Sequence, residues 1–243
     1  MNIVAVVQAR MGSTRLPGKV LEDLGGESVL ARVVERLRRS RSISEVVIAT
    51  SHSLRDEPVV REAERLRVPT FRGSEPDVLD RYYRAARAFH ADVVVRITAD
   101  CPLIDAEVTD STVRGFLKEQ PDYASNALER RYPRGLDTEV TSVDALTRAW
   151  RTAKQPYERE HVTPFIYEHP ELFKILSVTN EADLSSHRWT LDTVQDLQFI
   201  RAVYQRFGNQ NDFSWRDVLD LVEREPALSQ MNGSVPQKVL REA

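Results

Sequence analysis

Residues Ile3 to Val20 read IVAVVQARMGSTRLPGKV. The stretch opens on an unbroken apolar run, Ile3 to Val7, of the length and β-branched content of a buried strand. From Gln8 the chain changes character. It carries three cations, Arg10, Arg15 and Lys19, no acid, and glycines at Gly12 and Gly18. A glycine-bearing loop between a first strand and a following helix is where α/β folds turn backbone N–H groups toward phosphate. Planar guanidinium groups suit two-point phosphate binding and lysine adds a mobile point charge, so the loop reads as an anion site. It is not a P-loop, because five residues separate Gly12 from Gly18 and Val20 stands where a hydroxyl is needed. No G-x-G-x-x-G is present either. An exposed basic loop is the plain alternative, and like charges beside glycines are costly to order without an anion.

Outward from this unit, apolar runs alternate with helical patterns, the mark of βαβ units and a mostly parallel sheet. Val46 to Ala49 and Val93 to Ile97 read as further buried strands. Val29, Leu30, Val33, Val34 and Leu37 recur at helical spacing, as do Val59, Val60, Ala63 and Leu66. A third helix is expected to begin near Pro76, capped by Ser74, with Val78, Tyr82, Ala85 and Phe89 on one face. Asp122 to Ala127 and Thr138 to Val143 read as strands around the turn-like RRYPRGLD. Val143 to Ala153 and Glu158 to Glu168 read as helical, the second broken or bent by Pro164. Phe173 to Val178 and Trp189 to Leu191 read as strands, and Thr193 with Asp196 opens a helix bearing Leu197, Ile200, Val203, Tyr204 and Phe207. No repeat or linker divides the chain. The expectation is one domain over 1–225 and a C-terminal tail over 226–243, whose last stretch, NGSVPQKVLREA, is polar and frayed.

Composition narrows the function. With 243 residues and 41% hydrophobic content the chain can bury a sizeable core. A net charge of −3 provides no global field for nucleic acid or an anionic membrane. The single cysteine, Cys101, excludes an intrachain disulfide and a Cys-rich zinc site. No run approaches the roughly 20 apolar residues of a membrane span, and the start lacks a basic region followed by a hydrophobic signal core. These features predict a soluble, cytoplasmic protein.

Several ordered segments carry a family resemblance. QARMGSTRLPGKVL resembles the R-x-x-S-x-R-L-P-G-K signature of CMP-sugar synthetases, especially CMP-Kdo synthetase and the SpsF-like group. RITADCPLID, FRGSEPDVLDRYY, YPRGLDTEV, REHVTPFIY and TLDTVQDL continue it in order, over about residues 1 to 207. The resemblance implies a three-layer α/β fold with an open, mostly parallel sheet, Rossmann-like and akin to GT-A nucleotide-diphospho-sugar transferases. It implies a cytidylyltransferase that moves CMP from CTP to an acidic acceptor and releases pyrophosphate. In that pattern Arg10, Ser13, Arg15 and Lys19 hold the triphosphate, with Gln8, Ala9 and Gly12 beside them. The base lies near Ala9 and around Arg72, Gly73, Asp77 and Arg81, and the choice of cytosine is inherited from the resemblance. Relatives of this kind pair through the region after the central strands, so a homodimer through about residues 124–175 is expected.

A triphosphate needs a divalent cation. Asp100 follows one strand by three residues and Asp192 ends another, the ligand crevices of an open α/β sheet. By resemblance both coordinate Mg²⁺, which needs no more than two protein carboxylates plus phosphate oxygens. Asp192 could instead serve a helix cap. Cys101 stands where CMP-Kdo synthetases usually carry Glu, and packing suits it better than chemistry. Acceptor contacts are assigned to Arg134, Asp137, Glu139, Arg159, Glu160 and His161. The arginines suit a sugar acid or phosphonate, while Asp137 or Glu139 could take a proton. The plain alternative for EREH is a solvated helix face. His52, His90, His169 and His187 show no metal-ligand spacing. A glycosyltransferase of similar fold is disfavoured because no D-x-D occurs, and a silent nucleotide-binding homologue stays open.

Overall fold

A computed structural model describes residues 1–237. Seven strands form one sheet: β1 Ile3–Gln8, β2 Glu45–Ser51, β3 Thr70–Gly73, β4 Val93–Thr98, β5 Tyr123–Ser125, β6 Glu139–Ser142 and β7 Ile175–Ser177. Ten α-helices accompany it among the described residues: α1 Val29–Leu37, α2 Glu57–Arg65, α3 Val78–Ala88, α4 Ala106–Glu119, α5 Val143–Thr152, α6 Pro156–His161, α7 Pro164–Tyr167, α8 Val194–Arg206, α9 Trp215–Arg224 and α10 Pro226–Gln230. The strand order is β3-β2-β1-β4-β6-β5-β7, and β6 alone runs antiparallel to its neighbours. The chain lays β2 and β3 on one side of β1 and then returns to place β4 on the other. The order therefore reverses at β1 and β4, and an open α/β sheet binds ligands beyond the C-terminal ends of such strands.

The apolar run deciding the fold is buried on both faces, as a central parallel strand requires. Ile3, Ala5 and Val7 meet Leu30, Val33, Val34 and Leu37 of α1 with Val113 and Phe116 of α4. Val4 and Val6 meet Leu79, Tyr82 and Ala85 of α3 with Ala145 and Leu146 of α5. The result is three layers. A further apolar cluster joins Trp189 and Leu191 to Phe199, Ile200, Val203 and Tyr204 of α8 and to Trp215 and Val218 of α9.

Some boundaries differ from the sequence reading. Helix α3 begins at Val78 because Ser74 Oγ accepts from the Asp77 amide, closing a turn, and Asp77 then caps the helix by accepting from Asp80 N. The helical stretch Glu158 to Glu168 is broken rather than bent, into two short helices, α6 and α7, the second starting at Pro164. Trp189 to Leu191 is not a strand. It is an extended segment joined to the fold by an isolated bridge between Arg134 and Arg188. Strand β3 and helices α4 and α9 were not anticipated. The expected tail starts with α10, whose Leu228 is buried, and Asn232 Nδ2 donates to the Arg188 carbonyl and to Asp196. The remainder of the frayed segment, 238–243, lies outside the described residues. No helix among the described residues is long and apolar enough to cross a membrane.

One buried carboxylate far from the sheet crevice sets an acid limit on stability. Asp110 of α4 accepts from the amides of Arg41 and Ser42, at 3.0 and 3.1 Å, and from the Ser40 hydroxyl. Burial pushes its carboxyl up, but these donors outweigh burial and the net value lies below the ordinary one. Its contribution is therefore present above the ordinary carboxylate range, near 3.9, and is lost as pH falls through the lowered value. Asp110→Asn turns an amide toward backbone donors and is expected to cost about 1–3 kcal/mol at pH 7. The deficit should shrink toward pH 3 in urea melts of both proteins.

Candidate active site

The loop leaving β1 is held in shape by its own backbone and by one acid. Gly18 N donates to the Met11 carbonyl at 3.0 Å, closing the loop. Gly18 sits at φ 74°, where a Cβ would also lie 3.1 Å from the Met11 side chain, so the glycine of LPGK is a backbone requirement. Asp56, 2% exposed, accepts from Met11 N at 2.7 Å and from Ser51, pinning the loop to the end of β2. Sequence reasoning missed Asp56, and nothing local to it signals the role.

This loop and the segment after β4 enclose a cleft of about 300 Å³ at the point where the strand order reverses. Gln8, Arg10, Ser13, Arg15, Lys19, Asp100, Glu160 and Asp192 are among the residues lining it. At its floor lies Lys19, only 8% exposed. Its ammonium donates to Asp100 Oδ2 at 2.6 Å, to Asp192 Oδ1 at 2.8 Å and to the Leu191 carbonyl at 2.8 Å. Arg15 reaches Asp192 Oδ2 at 2.9 Å, and Arg188, another residue the sequence reading missed, reaches the same oxygen at 3.0 Å. Burial alone would push the Lys19 ammonium down and the Asp100 carboxyl up. Their mutual attraction, with Asp192 adding to it for Lys19, outweighs burial and holds Lys19 above and Asp100 below their usual values. Both groups are therefore ionised across the neutral range.

Asp192 reaches this position without a strand. Trp189 N donates to the Arg134 carbonyl at 2.7 Å and Leu191 N to the Asp100 carbonyl at 2.8 Å, so residues 187–192 are tied at two points. Gly135, at φ 111°, permits the approach, because a Cβ there would stand 2.6 Å from the Trp189 carbonyl carbon and oxygen. Asp196 accepts from the amides of Asp192 and Thr193 and opens α8 through a capping box. Thr193 and Asp196 together fill the capping role considered for Asp192, which leaves the Asp192 carboxylate facing the cleft.

A smaller recess of about 120 Å³ adjoins the cleft, lined by Gln8, Ala9, Arg10, Val78, Arg81, Glu160 and His161. Arg81 is 1% exposed, and its buried Nε and Nη1 have no hydrogen-bond partner. Burial lowers its guanidinium from the ordinary value. Buried polar groups are nearly always satisfied, so orphaned donors on a side chain that lines this recess point to a polar ligand. Gly73 backs this side chain, since a Cβ would lie 3.0 Å from Arg81 Cγ.

Other expected site residues are occupied structurally. Arg72 does not line the cleft; it donates to the Ser51 and Ser53 carbonyls and pairs with Glu57 at 2.9 Å. Asp77 caps α3 and takes Arg159 in a two-point pair. Glu139 lies opposite Arg96 in the antiparallel register of β4 and β6 and pairs with it, while Tyr123 and Thr163 donate to its other oxygen. That leaves Glu139 poorly placed to receive a substrate proton. Asp137 forms a two-point pair with Arg130. Arg134, flanked by Arg130 and Arg188, has no ion-pair partner among the described residues, and burial followed by the Arg130 charge lowers its guanidinium. Cys101 is buried and its thiol is pushed well up by burial, then by Asp100, which fits packing.

No cluster of three or more His, Cys, Asp or Glu side chains suited to a metal exists among the described residues. The donor set that does converge is two carboxylates on one lysine nitrogen, all oxygen and open to the cleft. Magnesium commonly binds through one or two carboxylates plus substrate phosphates, so this set fits it.

A family model for cytidylyltransferases matches residues 4–224. The spore coat polysaccharide biosynthesis protein SpsF of Bacillus subtilis is 35% identical over 234 residues, covering 93% of this chain and 95% of its own. A cytidylyltransferase structure from Leptospira borgpetersenii superposes with a TM-score of 0.91 at 34% identity, covering 98% of this chain and 99% of that one. CMP-2-keto-3-deoxy-manno-octonic acid synthetase in complex with CTP shares the fold, with a TM-score of 0.67 at 18% identity over 85% of this chain and 99% of its own.

Proposed function

The chain belongs to the cytidylyltransferase family and is a nucleotidyltransferase, and from that premise we propose that it transfers CMP from CTP to an acidic acceptor with Mg²⁺. The observation that carries this reading is the convergence of Arg15, Lys19, Asp100 and Asp192 in one cleft where the strand order reverses. The Arg134 guanidinium, flanked by Arg130 and Arg188 and without an ion-pair partner among the described residues, favours a carboxylate or phosphonate. The likeness to the spore coat polysaccharide biosynthesis protein SpsF supports a role for the product in polysaccharide synthesis.

An acceptor oxygen attacks the α-phosphorus in line and releases its proton to solvent, the bond to the β-phosphate oxygen breaks, and pyrophosphate leaves with the electron pair. Asp100 and Asp192 would hold Mg²⁺, which when bound neutralises phosphate charge. Arg10, Arg15 and Lys19 supply fixed positive charge to the departing group, and Ser13 with the loop backbone orients it. The recess beside the cleft suits the base, with the unsatisfied Arg81 donors facing a carbonyl-bearing ring edge.

The test is a thermal-shift panel of CTP, UTP, ATP and GTP, each with and without Mg²⁺. CTP with Mg²⁺ at about 100 times its Kd should stabilise the fold by about 2.7 kcal/mol and raise the melting temperature by a few degrees. Absence of a shift with every nucleotide would remove the function while leaving the fold. Pyrophosphate release with an acidic sugar then separates an enzyme from a silent binder.

A further inference from the structure

Glu160 lies where three spaces meet: the phosphate cleft, the recess under Arg81, and an outer hollow bounded by Asp77 and Arg159. The run EREH is not a uniformly solvated face. Glu158 turns back to accept from the amides of Lys154 and Gln155, both at 2.9 Å, and Arg159 is spent on Asp77. Glu160 is left pointing between the cleft and the recess. Its one ion-pair partner among the described residues is Arg10, at 3.7 Å, longer than a hydrogen bond.

The residue that fixes this direction is Val162. It sits at φ 74°, ψ −55°, and Thr163 N donates to the His161 carbonyl across it at 2.9 Å, a γ-turn of the strained hand. A β-branched residue in that conformation persists only where its surroundings over-determine it. Here they do: the Val162 side chain is 1% exposed in the core and Thr163 Oγ bonds Glu139. The backbone is thus held at a sharp turn immediately after Glu160, in the segment that faces the cleft.

A free carboxylate beside a triphosphate is repelled by it, so its presence needs donors on the ligand. If the phosphates lie along the Arg15 and Lys19 loop and the base lies under Arg81, the sugar between them passes Glu160. A carboxylate accepts only, with two oxygens, and a ribose offers two adjacent hydroxyl donors. Acidic side chains serve the ribose hydroxyl in the same way in dinucleotide-binding folds. We propose that Glu160 accepts from the ribose 2′- and 3′-hydroxyls of the nucleotide and makes the enzyme select ribonucleotides over 2′-deoxyribonucleotides. This assignment rests on the nucleotide reading above and moves Glu160 from the acceptor side to the donor side of the reaction.

Calorimetric titration with CTP and with 2′-deoxy-CTP, both with Mg²⁺, tests it in the wild type, Glu160→Gln and Glu160→Ala. Wild type should bind CTP about tenfold or more tighter than 2′-deoxy-CTP, the size of a hydrogen bond to a charged group. Glu160→Ala should bring the ratio close to one, chiefly by weakening CTP, and Glu160→Gln should fall between. Melting curves confirm that each variant folds. A wild-type ratio retained in Glu160→Ala overturns the assignment while leaving the nucleotide site. A wild type that binds neither nucleotide overturns both.

Discussion

Lys19→Met is expected to lower pyrophosphate release by at least about 10²–10³ and to destabilise the fold by about 3 kcal/mol. The first effect follows because a preorganised charge aimed at the leaving group is lost. The second follows because removing one partner of a buried ion pair strands the other. Such losses run to about 3–5 kcal/mol, and the partial exposure of Asp100 places this one at the lower end. Asp192 keeps Arg15 and Arg188, whereas Asp100 keeps no cation among the described residues. Mg²⁺ without nucleotide should therefore stabilise Lys19→Met more than wild type, where the ammonium competes for the same two carboxylates. Urea melts with and without Mg²⁺ measure this. An identical metal response in the two proteins would count against the carboxylate pair as the cation's seat.

Asp100→Asn separates the metal from the scaffold. The amide is nearly isosteric, its oxygen can still accept from Lys19, and the ammonium keeps Asp192 and the Leu191 carbonyl. Stability should change by less than about 1 kcal/mol. Turnover with saturating CTP should nevertheless fall by about 10²–10³, because an amide is a poor replacement for an anionic magnesium ligand. Raised Mg²⁺ should recover part of the loss if Asp100 binds the ion. Turnover at the wild-type level would remove Asp100 from the metal site. A large loss of stability with little loss of rate would instead mark it as the structural partner of Lys19.

Both variants act on a contact that spacing along the chain could not reveal. Lys19 was legible as a phosphate cation because its loop is local, with an apolar strand before it and no acid in reach. Its partners lie 81 and 173 residues away, and they meet it only because β1 and β4 are neighbours and residues 187–192 are tied to Arg134 and Asp100. Glu139 shows the converse. Among polar neighbours it reads as a candidate base, yet the β4–β6 register sets it opposite Arg96 and consumes its charge in a cross-strand pair. Arg72 and Asp77 are likewise cations and acids in a plausible segment, but their hydrogen bonds are spent on the ends of β2 and α3. Arg81, from the same segment, is the one whose donors remain unsatisfied at a recess.

The sequence by itself determined the three-layer open sheet and the anion loop after its first strand. Buried parallel strands must read as continuous apolar runs, helices must repeat their apolar positions every three or four residues, and a loop that crowds cations around glycines carries its chemistry locally. Tertiary structure alone decided which charges remain available. An ion pair forms between whatever strand register and crossover bring within about 3 Å, and that juxtaposition is a property of the folded chain. It left the carboxylates of Asp100 and Asp192 together on Lys19, spent those of Glu139 and Asp137 on arginines, and turned Glu160 toward the cleft.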